Sequence, residues 1–341
     1  MKLLILTQIV DQNDHSLGFF HSWIEELSTY FEKITVICLK EGAHSLPQHV
    51  SVVSLGKERG TSRPVRLWLL LRYSLAHRNE YDSVFVHMNQ EYILAAGLLW
   101  KFLGKPIYMW RNHYAGSILT DIAATFCKNV FCTSKFSYTA KYRKTILMPI
   151  GVNLALYHNT GVRRIPRSVL FYARLSPSKR PHVLIEALVM LKKKGVVYTA
   201  DIYGTALPKD EEYLMRLKRR VTESGLDGQI KFYPGTPPAE GPAIFSAHEI
   251  FVNLGESGMY DKTLFEAAAC GSLVIAASKD WASLVHGRVV ESEESLAQVI
   301  EETLSFSQEE QEAARATFRR AVEEHSLSVL GERLAKTMLA N

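Results

Sequence analysis

The sequence predicts an α/β protein of 341 residues with two doubly wound, parallel-sheet domains in tandem. The length exceeds what one hydrophobic core usually supports, so two domains of ordinary size are expected. Short β-branched runs alternate with helical stretches, which is typical of parallel sheets that are covered by helices on both faces. Hydrophobic residues make up 47% of the chain and charged residues 22%, which excludes disordered, collagen-like and coiled-coil proteins.

The first half of the chain contains seven predicted strands with helices between most of them. The strands are predicted at Lys2–Thr7, Ile34–Leu39, Val50–Leu55, Ser83–His87, Pro106–Trp110, Asn129–Cys132 and Thr145–Met148. The helices are predicted at Phe19–Phe31, Val65–His77, Tyr92–Phe102 and Lys135–Tyr142. The first run is apolar enough for a secretion signal, but Asp11 ends it and no small-residue cleavage site follows, so we expect a buried strand.

The polar segment 159–167 is the predicted linker between the two domains. It contains three arginines and Pro166, and it has no apolar period. We therefore predict a first domain over residues 1–158, a second over 168–323, and a terminal helix over 324–341 that packs back towards the first domain. Two such domains are expected to face a cleft, because ligands of these sheets bind at the carboxyl ends of the strands.

The alternation of strands and helices restarts after the linker. Strands are predicted at Ser168–Tyr172, Thr199–Tyr203, Gln229–Tyr233, Ile250–Asn253 and Leu273–Ala276. Helices are predicted at Arg180–Lys194, Glu211–Ser224, Ala243–Ala247, Lys262–Cys270 and Leu296–Phe306. The last stretch, Gln308–Leu339, is predicted to be helical with a break near His325.

Several enzyme classes and metal sites lack their signatures in this sequence. No GxGxxG, GxxxxGK[ST] or GxSxG motif occurs, which argues against Rossmann dehydrogenases, P-loop NTPases and α/β-hydrolases. No Asp-x-Asp triplet occurs either, and we expect neither a metal ion nor another cofactor. The four cysteines show no CxxC pair, so a disulfide framework is not expected and a reducing compartment fits. No apolar run is long enough to span a bilayer.

The stretch from Phe171 to Pro181 is predicted to bind a diphosphate. A strand ends near Arg174, a Ser-Pro turn follows, and a helix opens around Lys179. The two cations are thereby brought close together at a helix N-terminus, where backbone N–H groups also point outward. The alternative is that both are surface cations that cap a loop.

The stretch from Asn253 to Gly271 is predicted to bind a ribose. A strand ends in a glycine-containing loop, where the backbone can approach a ligand closely, and a helix with free N–H donors begins near Asp261. Glu266 lies one turn inside this otherwise apolar helix. Its carboxylate needs a partner there, and paired ribose hydroxyls would serve. The alternative is a salt bridge with a neighbouring lysine.

These two stretches resemble the nucleotide-sugar-binding core of the GT-B glycosyltransferases, specifically the large retaining family 4. That family has Gly-Arg-Leu, three residues and Lys-Gly after a strand, and Arg174-Leu-Ser-Pro-Ser-Lys179 matches this spacing. It also has a Glu-(seven residues)-Glu motif, whose end matches Leu264-Phe-Glu-Ala-Ala-Ala-Cys-Gly271. Ile150-Gly-Val-Asn153 with Tyr157 is similar to the family's Asn-Gly-Val-Asp signature. The likeness extends over essentially the whole chain and implies the GT-B fold.

The sequence departs from the family's pattern in the second motif. Gly258 stands eight residues before Glu266, where the family has a glutamate that normally touches the donor sugar. Glu256 would replace that glutamate if the loop shifts. Asp261 and Lys262 stand where apolar residues are common, and we interpret Asp261 as a helix N-cap rather than as a sugar ligand.

The resemblance implies site residues in both halves of the chain. In the first half it implies Gly18, which follows the polar loop Asp11–Ser16, and His113, which resembles the histidine that faces the donor sugar. His87 is a second candidate, and either histidine could instead be a satisfied core residue. The predicted catalytic residues are Arg174, Lys179 and His113. The predicted donor-binding residues are Glu266, Gly258, Met259, Tyr260, Glu256, Lys262 and Gly18.

The resemblance implies a retaining, metal-independent transfer of a hexose from a UDP- or GDP-sugar to a hydroxyl of a glycan or lipid-linked acceptor. Arg174 and Lys179 would stabilise the departing diphosphate in place of a metal ion, with the N–H groups of residues 258–260 as further donors. No pair of carboxylates is placed for double displacement, so we expect same-face attack within an ion pair. The alternatives are a UDP-sugar 2-epimerase of the same fold and a non-catalytic subunit that binds a sugar nucleotide or glycan.

The basic excess of the chain lies entirely in its first half. Residues 1–160 hold 17 Lys and Arg against 11 Asp and Glu, whereas residues 161–341 hold 23 against 24. This excess fits an anionic substrate, an anionic membrane face or a plain solvated surface, and we expect no nucleic-acid partner.

Residues 57–77 combine cations with bulky apolar side chains. Trp68 and a run of leucines are accompanied by Lys57, Arg59, Arg63, Arg66 and Arg72. Such a stretch can lie in the headgroup layer of an anionic membrane. We therefore expect a cytoplasmic protein, attached peripherally to the inner face of the cell membrane, that acts on a lipid-linked acceptor. The alternative is an ordinary covering helix that buries Leu67, Leu70 and Leu71 against the sheet.

Overall fold

A computed structural model shows two compact units, each built on one parallel sheet. It describes residues 1–14, 17–258 and 260–340. The first unit consists of Met1–Gly151 with Ser326–Asn341, and the second consists of Val152–His325. Within the described residues, seven strands form one parallel sheet and five form the other, which confirms the predicted α/β class.

The first unit begins with the longest strands of its sheet. Its strands are β1 (Lys2–Val10), β2 (Lys33–Glu41), β3 (Val50–Ser54), β4 (Ser83–His87), β5 (Ile107–Trp110), β6 (Asn129–Cys132) and β7 (Thr145–Leu147). Its first helices are α1 (Phe19–Ser28), α2 (Arg63–Ala76), α3 (Gln90–Phe102) and α4 (Ile118–Phe126). The strand order is β3-β2-β1-β4-β5-β6-β7. Strand β4 is buried along its whole length, because helices cover the sheet on both faces.

The second unit has the smaller sheet. Its strands are β8 (Ile165–Tyr172), β9 (Thr199–Tyr203), β10 (Ile230–Tyr233), β11 (His248–Asn253) and β12 (Leu273–Ala276), in the order β10-β9-β8-β11-β12. Its helices are α5 (Pro181–Lys193), α6 (Glu211–Glu223), α7 (Gly241–Ala247), α8 (Lys262–Ala269), α9 (Lys279–Val285), α10 (Glu293–Leu304) and α11 (Gln308–Glu324). Strand β8 starts inside the segment that the sequence predicts as a linker, 159–167.

The terminal helix α12 (Leu327–Leu339) belongs to the first unit, as the sequence predicts. It follows the predicted break near His325, and Leu330 and Leu334 are buried in the same cluster as Trp23 of α1. A Cβ on Gly331 would come within 2.5 Å of the Glu26 side chain, so only glycine allows α12 to approach α1 this closely.

The helix predicted over Lys135–Tyr142 is wrong. Only a short 3-10 turn forms there, Tyr138–Lys141, because hydroxyl groups bind the local backbone instead, as in the hydrogen bond from the Phe136 N–H to the Ser134 Oγ. Helix α4 was not predicted, although Ser117 and Thr120 form a capping box at its start that is visible in the sequence. Helix α9 was also missed.

The four cysteines lie in the interior of the two units. Burial raises the pKa of the Cys38, Cys127 and Cys270 thiols to about 12, so at neutral pH they stay protonated and are poor nucleophiles. In the part of the chain that the structure describes, no helix is both long and apolar enough to cross a lipid bilayer.

Candidate functional site

The candidate anion site lies where the strand order of the second sheet reverses. Strand β8 lies between β9 and β11, so the chain leaves the ends of β8 and β11 in opposite directions across the sheet. Ligands of doubly wound sheets bind in the crevice at such a point. The two stretches that the sequence singles out, one after Tyr172 and one after Asn253, begin at these two strand ends.

Lys179 and Asp261 form an ion pair at this point. The chain passes from β8 through a 3-10 turn over Pro177–Lys179 into α5, and this turn directs Lys179 towards the start of α8. Its Nζ lies 2.5 Å from the Asp261 Oδ2. The two side chains are 18% and 17% exposed, so water screens the pair only partly.

Asp261 also caps helix α8, which confirms the N-cap interpretation. Its Oδ1 accepts hydrogen bonds from the backbone N–H of Thr263, at 3.3 Å, and from its hydroxyl, at 2.9 Å. Burial by itself would raise the pKa of the Asp261 carboxyl, but the Lys179 ammonium and the hydrogen bonds outweigh burial and lower it to about 2. Asp261 is therefore a carboxylate across the physiological range of pH.

The loop between β11 and α8 is tied to both sides of the site. The Asn253 amide donates to the Thr263 hydroxyl, at 3.1 Å, and its Oδ1 accepts from the N–H of Gly255, at 2.9 Å. The N–H of Gly258 donates to the Asp280 carboxylate, at 2.9 Å, and the Tyr260 hydroxyl donates to the Asp280 carbonyl. The Gly258 N–H, which was predicted to face a diphosphate, thus has a protein acceptor.

Gly258 has a backbone φ of +90°, a conformation that only glycine adopts without strain. A glutamate at this position, as in the family motif, would therefore be strained in this loop conformation. Glu256, the predicted substitute, is exposed on the same loop. The predicted contribution of Met259 lies outside the described residues.

Glu266 lies one turn inside α8 and is 8% exposed. Burial raises the pKa of its carboxyl, and the ammonium group of Lys262, which precedes it by one turn, opposes that rise. Burial likewise lowers the pKa of Lys262. The predicted alternative, a lysine that compensates Glu266, therefore has a named candidate in Lys262.

Arg174 is placed differently from Lys179. It follows the end of β8, and its side chain is exposed. Within the described residues, its guanidinium group has no hydrogen-bond or ion-pair partner. Of the two predicted phosphate-binding cations, one is thus held by a carboxylate and the other stays available.

The candidate residues of the first unit lie after β1 and β5. Gly18 immediately precedes α1, and a Cβ there would come within 2.6 Å of the Asp14 carbonyl oxygen, so no side chain fits. Part of the predicted loop before it, residues 15 and 16, lies outside the described residues. His113 is half-buried, and its Nδ1 accepts from the N–H of Ala115, at 2.9 Å.

His87, the second candidate histidine, is a core residue. It ends β4, is 2% exposed, and stacks on Phe20 with the ring centroids 4.0 Å apart. Trp23 packs against the same imidazole, at 5.8 Å. The sequence gives the same strand-end position to His87 and His113, and only packing separates them.

Sequence reasoning missed three residues that shape the site of the second unit: Asn253, Asp280 and the acidic partner of Lys179. Asn253 ends β11, so the rule that ligands bind at strand ends would have singled it out. Asp280 lies in α9, which was not predicted. Asp261 was predicted to cap a helix, but nothing in the sequence indicates that it meets Lys179, 82 residues earlier.

No group of three or more His, Cys, Asp or Glu side chains is arranged to hold a metal ion among the residues that the structure describes. The charged groups of the site are instead two cations, Lys179 and Arg174, and the carboxylates of Asp261 and Glu266. Such an arrangement can bind an anion through the cations and hydroxyl groups through the carboxylates.

Solved structures of similar fold cover the whole chain. The Anabaena protein HepE, solved with UDP and glucose, gives a TM-score of 0.79 at 19% identity, with both chains covered completely. Sucrose-phosphate synthase from Thermosynechococcus elongatus gives 0.76 at 16% identity, covering 99% of this chain and 97% of that one. At such identities the likeness defines the fold class, which is GT-B, as the sequence predicts.

The family is defined by the second unit. Residues 160–319 match the model of the family described as glycosyl transferases group 1, and this range includes Lys179, Asp261 and Glu266. The chain belongs to this family, as the resemblance of its motifs predicts.

Two curated relatives match part of the chain. D-inositol 3-phosphate glycosyltransferase from Segniliparus rotundus is 27% identical over 153 residues, which are 41% of this chain and 33% of that protein. The protein of the same description from Corynebacterium efficiens is 25% identical over 170 residues, 46% of this chain and 40% of that one. The chain thus spans between about a third and two-fifths of the length of these relatives.

Proposed function

We propose that this protein is a retaining, metal-independent glycosyltransferase. It transfers a hexose from a UDP- or GDP-sugar to a hydroxyl of a glycan or lipid-linked acceptor. The observation that carries this proposal is the position of Lys179 opposite the N-terminus of α8, inside the region that matches the family. An ammonium group and the N–H groups of a helix start together bind anions, and a diphosphate has the charge to occupy them.

In the proposed reaction the bond between the anomeric carbon of the sugar and the diphosphate oxygen breaks first. Negative charge builds on the departing diphosphate, and Arg174 and Lys179 stabilise it, which lowers the barrier. The acceptor oxygen then bonds to the anomeric carbon on the face that the diphosphate leaves, and its proton passes to the departing phosphate oxygen. The configuration at the anomeric carbon is thereby retained.

The carboxylate of Glu266 is proposed to accept hydrogen bonds from the ribose hydroxyls. Its burial supports this role, because a buried carboxyl with a raised pKa gains from two donors that replace water. His113 is proposed to contact the transferred sugar, and its half-buried ring leaves it accessible to a ligand. Gly18, Tyr260 and Lys262 complete the proposed donor site with the loop of Glu256, Gly258 and Met259.

A screen of nucleotide sugars by thermal shift tests the donor, and UDP-glucose comes first because the similar HepE was also solved with it. A bound donor should stabilise the protein, and an added acceptor should cause release of the nucleoside diphosphate. Formation of an isomeric sugar nucleotide would instead identify the 2-epimerase. Binding without either product would identify a non-catalytic subunit.

A lipid-linked acceptor is proposed because three helices of the first unit expose apolar side chains. Leu70 of α2, Ile93 of α3 and Ala123 of α4 are buried in one cluster, so these helices cover the same face of the sheet. Their exposed large apolar residues are Val65, Leu67, Trp68, Leu71, Leu75, Leu98, Phe102, Ile118, Leu119 and Ile122. Of the three leucines that a covering helix would bury, Leu67, Leu70 and Leu71, only Leu70 is buried.

Cations accompany this exposed apolar face. Arg63 and Arg72 are exposed on α2, and the Arg72 guanidinium lies 5.1 Å from the Trp68 ring centroid. Arginines beside exposed tryptophan and leucine suit the headgroup layer of an anionic membrane. We therefore propose that the protein resides in the cytoplasm and attaches peripherally to the inner face of the cell membrane.

A further inference from the structure

The ion pair between Lys179 and Asp261 occupies the groups that would bind a diphosphate. It lies where β8 and β11 diverge, and it joins residues 82 positions apart. The backbone of Gly255 borders it: a Cβ there would lie 3.8 Å from the Asp261 Oδ2 and 4.0 Å from the Lys179 Nζ. The absence of a side chain at this glycine leaves space beside the pair for a ligand.

The two carboxylate oxygens of Asp261 have different partners. Oδ1 accepts from the N–H and the hydroxyl of Thr263 and so caps α8, whereas Oδ2 accepts from Lys179. The Lys179 contact can therefore open while the cap remains. A carboxylate held in this way fills the place of an external anion on the ammonium group and on the helix start.

We propose that Asp261 is an internal counter-ion that holds Lys179 until a diphosphate displaces it. This inference rests on the proposed function and adds a residue that sets how tightly the donor and the leaving group are held. The ligand first meets Arg174, which is exposed and has no described partner, and then takes over Lys179. When the diphosphate leaves, Lys179 returns to Asp261, so the pair weakens binding and promotes release.

Asp261→Asn tests this proposal. Asparagine caps a helix about as well as aspartate, so the variant keeps the Oδ1 contacts and loses the charge that competes for Lys179. We expect inorganic pyrophosphate and UDP to bind about tenfold more tightly, measured by titration calorimetry, which corresponds to about 1.4 kcal/mol. The KM for the sugar nucleotide should fall while kcat does not rise, a split that loss of a merely structural cap would not produce.

Two further variants guard the interpretation. Asp261→Ser keeps an N-capping oxygen without charge and serves if the asparagine variant folds poorly. Glu240→Gln is the matched control, because it removes the same charge from an exposed side chain of the same unit and should leave pyrophosphate affinity within a factor of two. In a Lys179→Ala background, the gain from Asp261→Asn should disappear, because Asp261 acts through Lys179.

Unchanged or weaker pyrophosphate binding in folded Asp261→Asn and Asp261→Ser would overturn the proposal, as would a gain that persists without Lys179. Pyrophosphate that binds neither the wild type nor the variants would overturn it as well. If pyrophosphate binds more tightly to the variants but no sugar nucleotide is turned over, the counter-ion inference stands and the proposed glycosyl transfer fails.

Discussion

The second unit places charged groups where its strand order reverses, whereas the first unit places aromatic rings at the equivalent position. After β8 and β11 stand Lys179 and Asp261, paired and largely shielded from water. At the end of β4, next to β1, His87 is instead stacked on Phe20 and packed against Trp23. The same strand order thus supports an anion-binding position in one unit and a packed aromatic core in the other.

The surfaces of the two units differ in the opposite sense. Most of the exposed large apolar side chains of the described residues lie in the first unit, chiefly on α2, α3 and α4, and the basic excess lies in the same half of the chain. The difference teaches that fold alone does not assign a role to a unit, because function depends on side chains at the strand ends and on the outer helices. The following experiments test this division.

The largest effect is expected from the combined change Arg174→Ala and Lys179→Ala. Without both cations, the charge on a departing diphosphate is not stabilised, so turnover of the sugar nucleotide should be abolished while the protein still folds. Product release and circular dichroism measure the two quantities. Lys218→Ala with Arg219→Ala, which removes two exposed cations of α6, is the control. Wild-type rates in the first double variant would remove the assignment of an anion site to the second unit.

Glu266→Gln should weaken the binding of free nucleoside diphosphate by about 1–3 kcal/mol, because a charged hydrogen bond to the ribose is lost. Isothermal titration calorimetry on the folded variant measures this change. Glu294→Gln, at an exposed position of α10, should leave the affinity unchanged. If Glu266→Gln also leaves it unchanged, Glu266 serves as the partner of Lys262 rather than as a ribose ligand.

Asp261→Asn should lower the free energy of unfolding by about 2 kcal/mol at pH 7. The pKa of Asp261 is about 2 in the folded protein, below its ordinary value of 3.8, so the carboxylate stabilises the fold above pH 4. That contribution is lost as the pH falls from about 4 towards 2, and the difference between wild type and variant should shrink over this window. Urea unfolding at a series of pH values measures it, and a difference independent of pH would contradict the described ion pair.

Arg63→Glu with Arg66→Glu should release the protein from anionic vesicles. A cation near such a surface contributes about 1 kcal/mol, so the effect is modest for each residue and should decrease with salt. Vesicle co-sedimentation measures binding, and Lys218→Glu with Arg219→Glu in the second unit is the matched control. If the wild type stays in the supernatant with anionic vesicles at low salt, the acceptor is soluble rather than lipid-linked.

Much of the fold could be predicted because its signals are local. Helix α8 was predicted to start near Asp261 and does so, since an N-cap and an apolar period depend on neighbours in the chain. The terminal helix and its break near His325 were predicted on the same basis. The failure over Lys135–Tyr142 has a local cause as well, because serine hydroxyls there compete for backbone groups and end the helix early.

The sequence by itself determined the alternation of strands and helices, the two glycine- and cation-containing stretches, and the family to which they belong. The tertiary structure alone decided that Lys179 meets Asp261, that His87 is buried while His113 is not, and that only one of three leucines in α2 is covered. The physical reason is the range of the interactions. Periodicity and capping act over a few residues, whereas these contacts depend on strand order and helix packing, which join residues far apart in the chain.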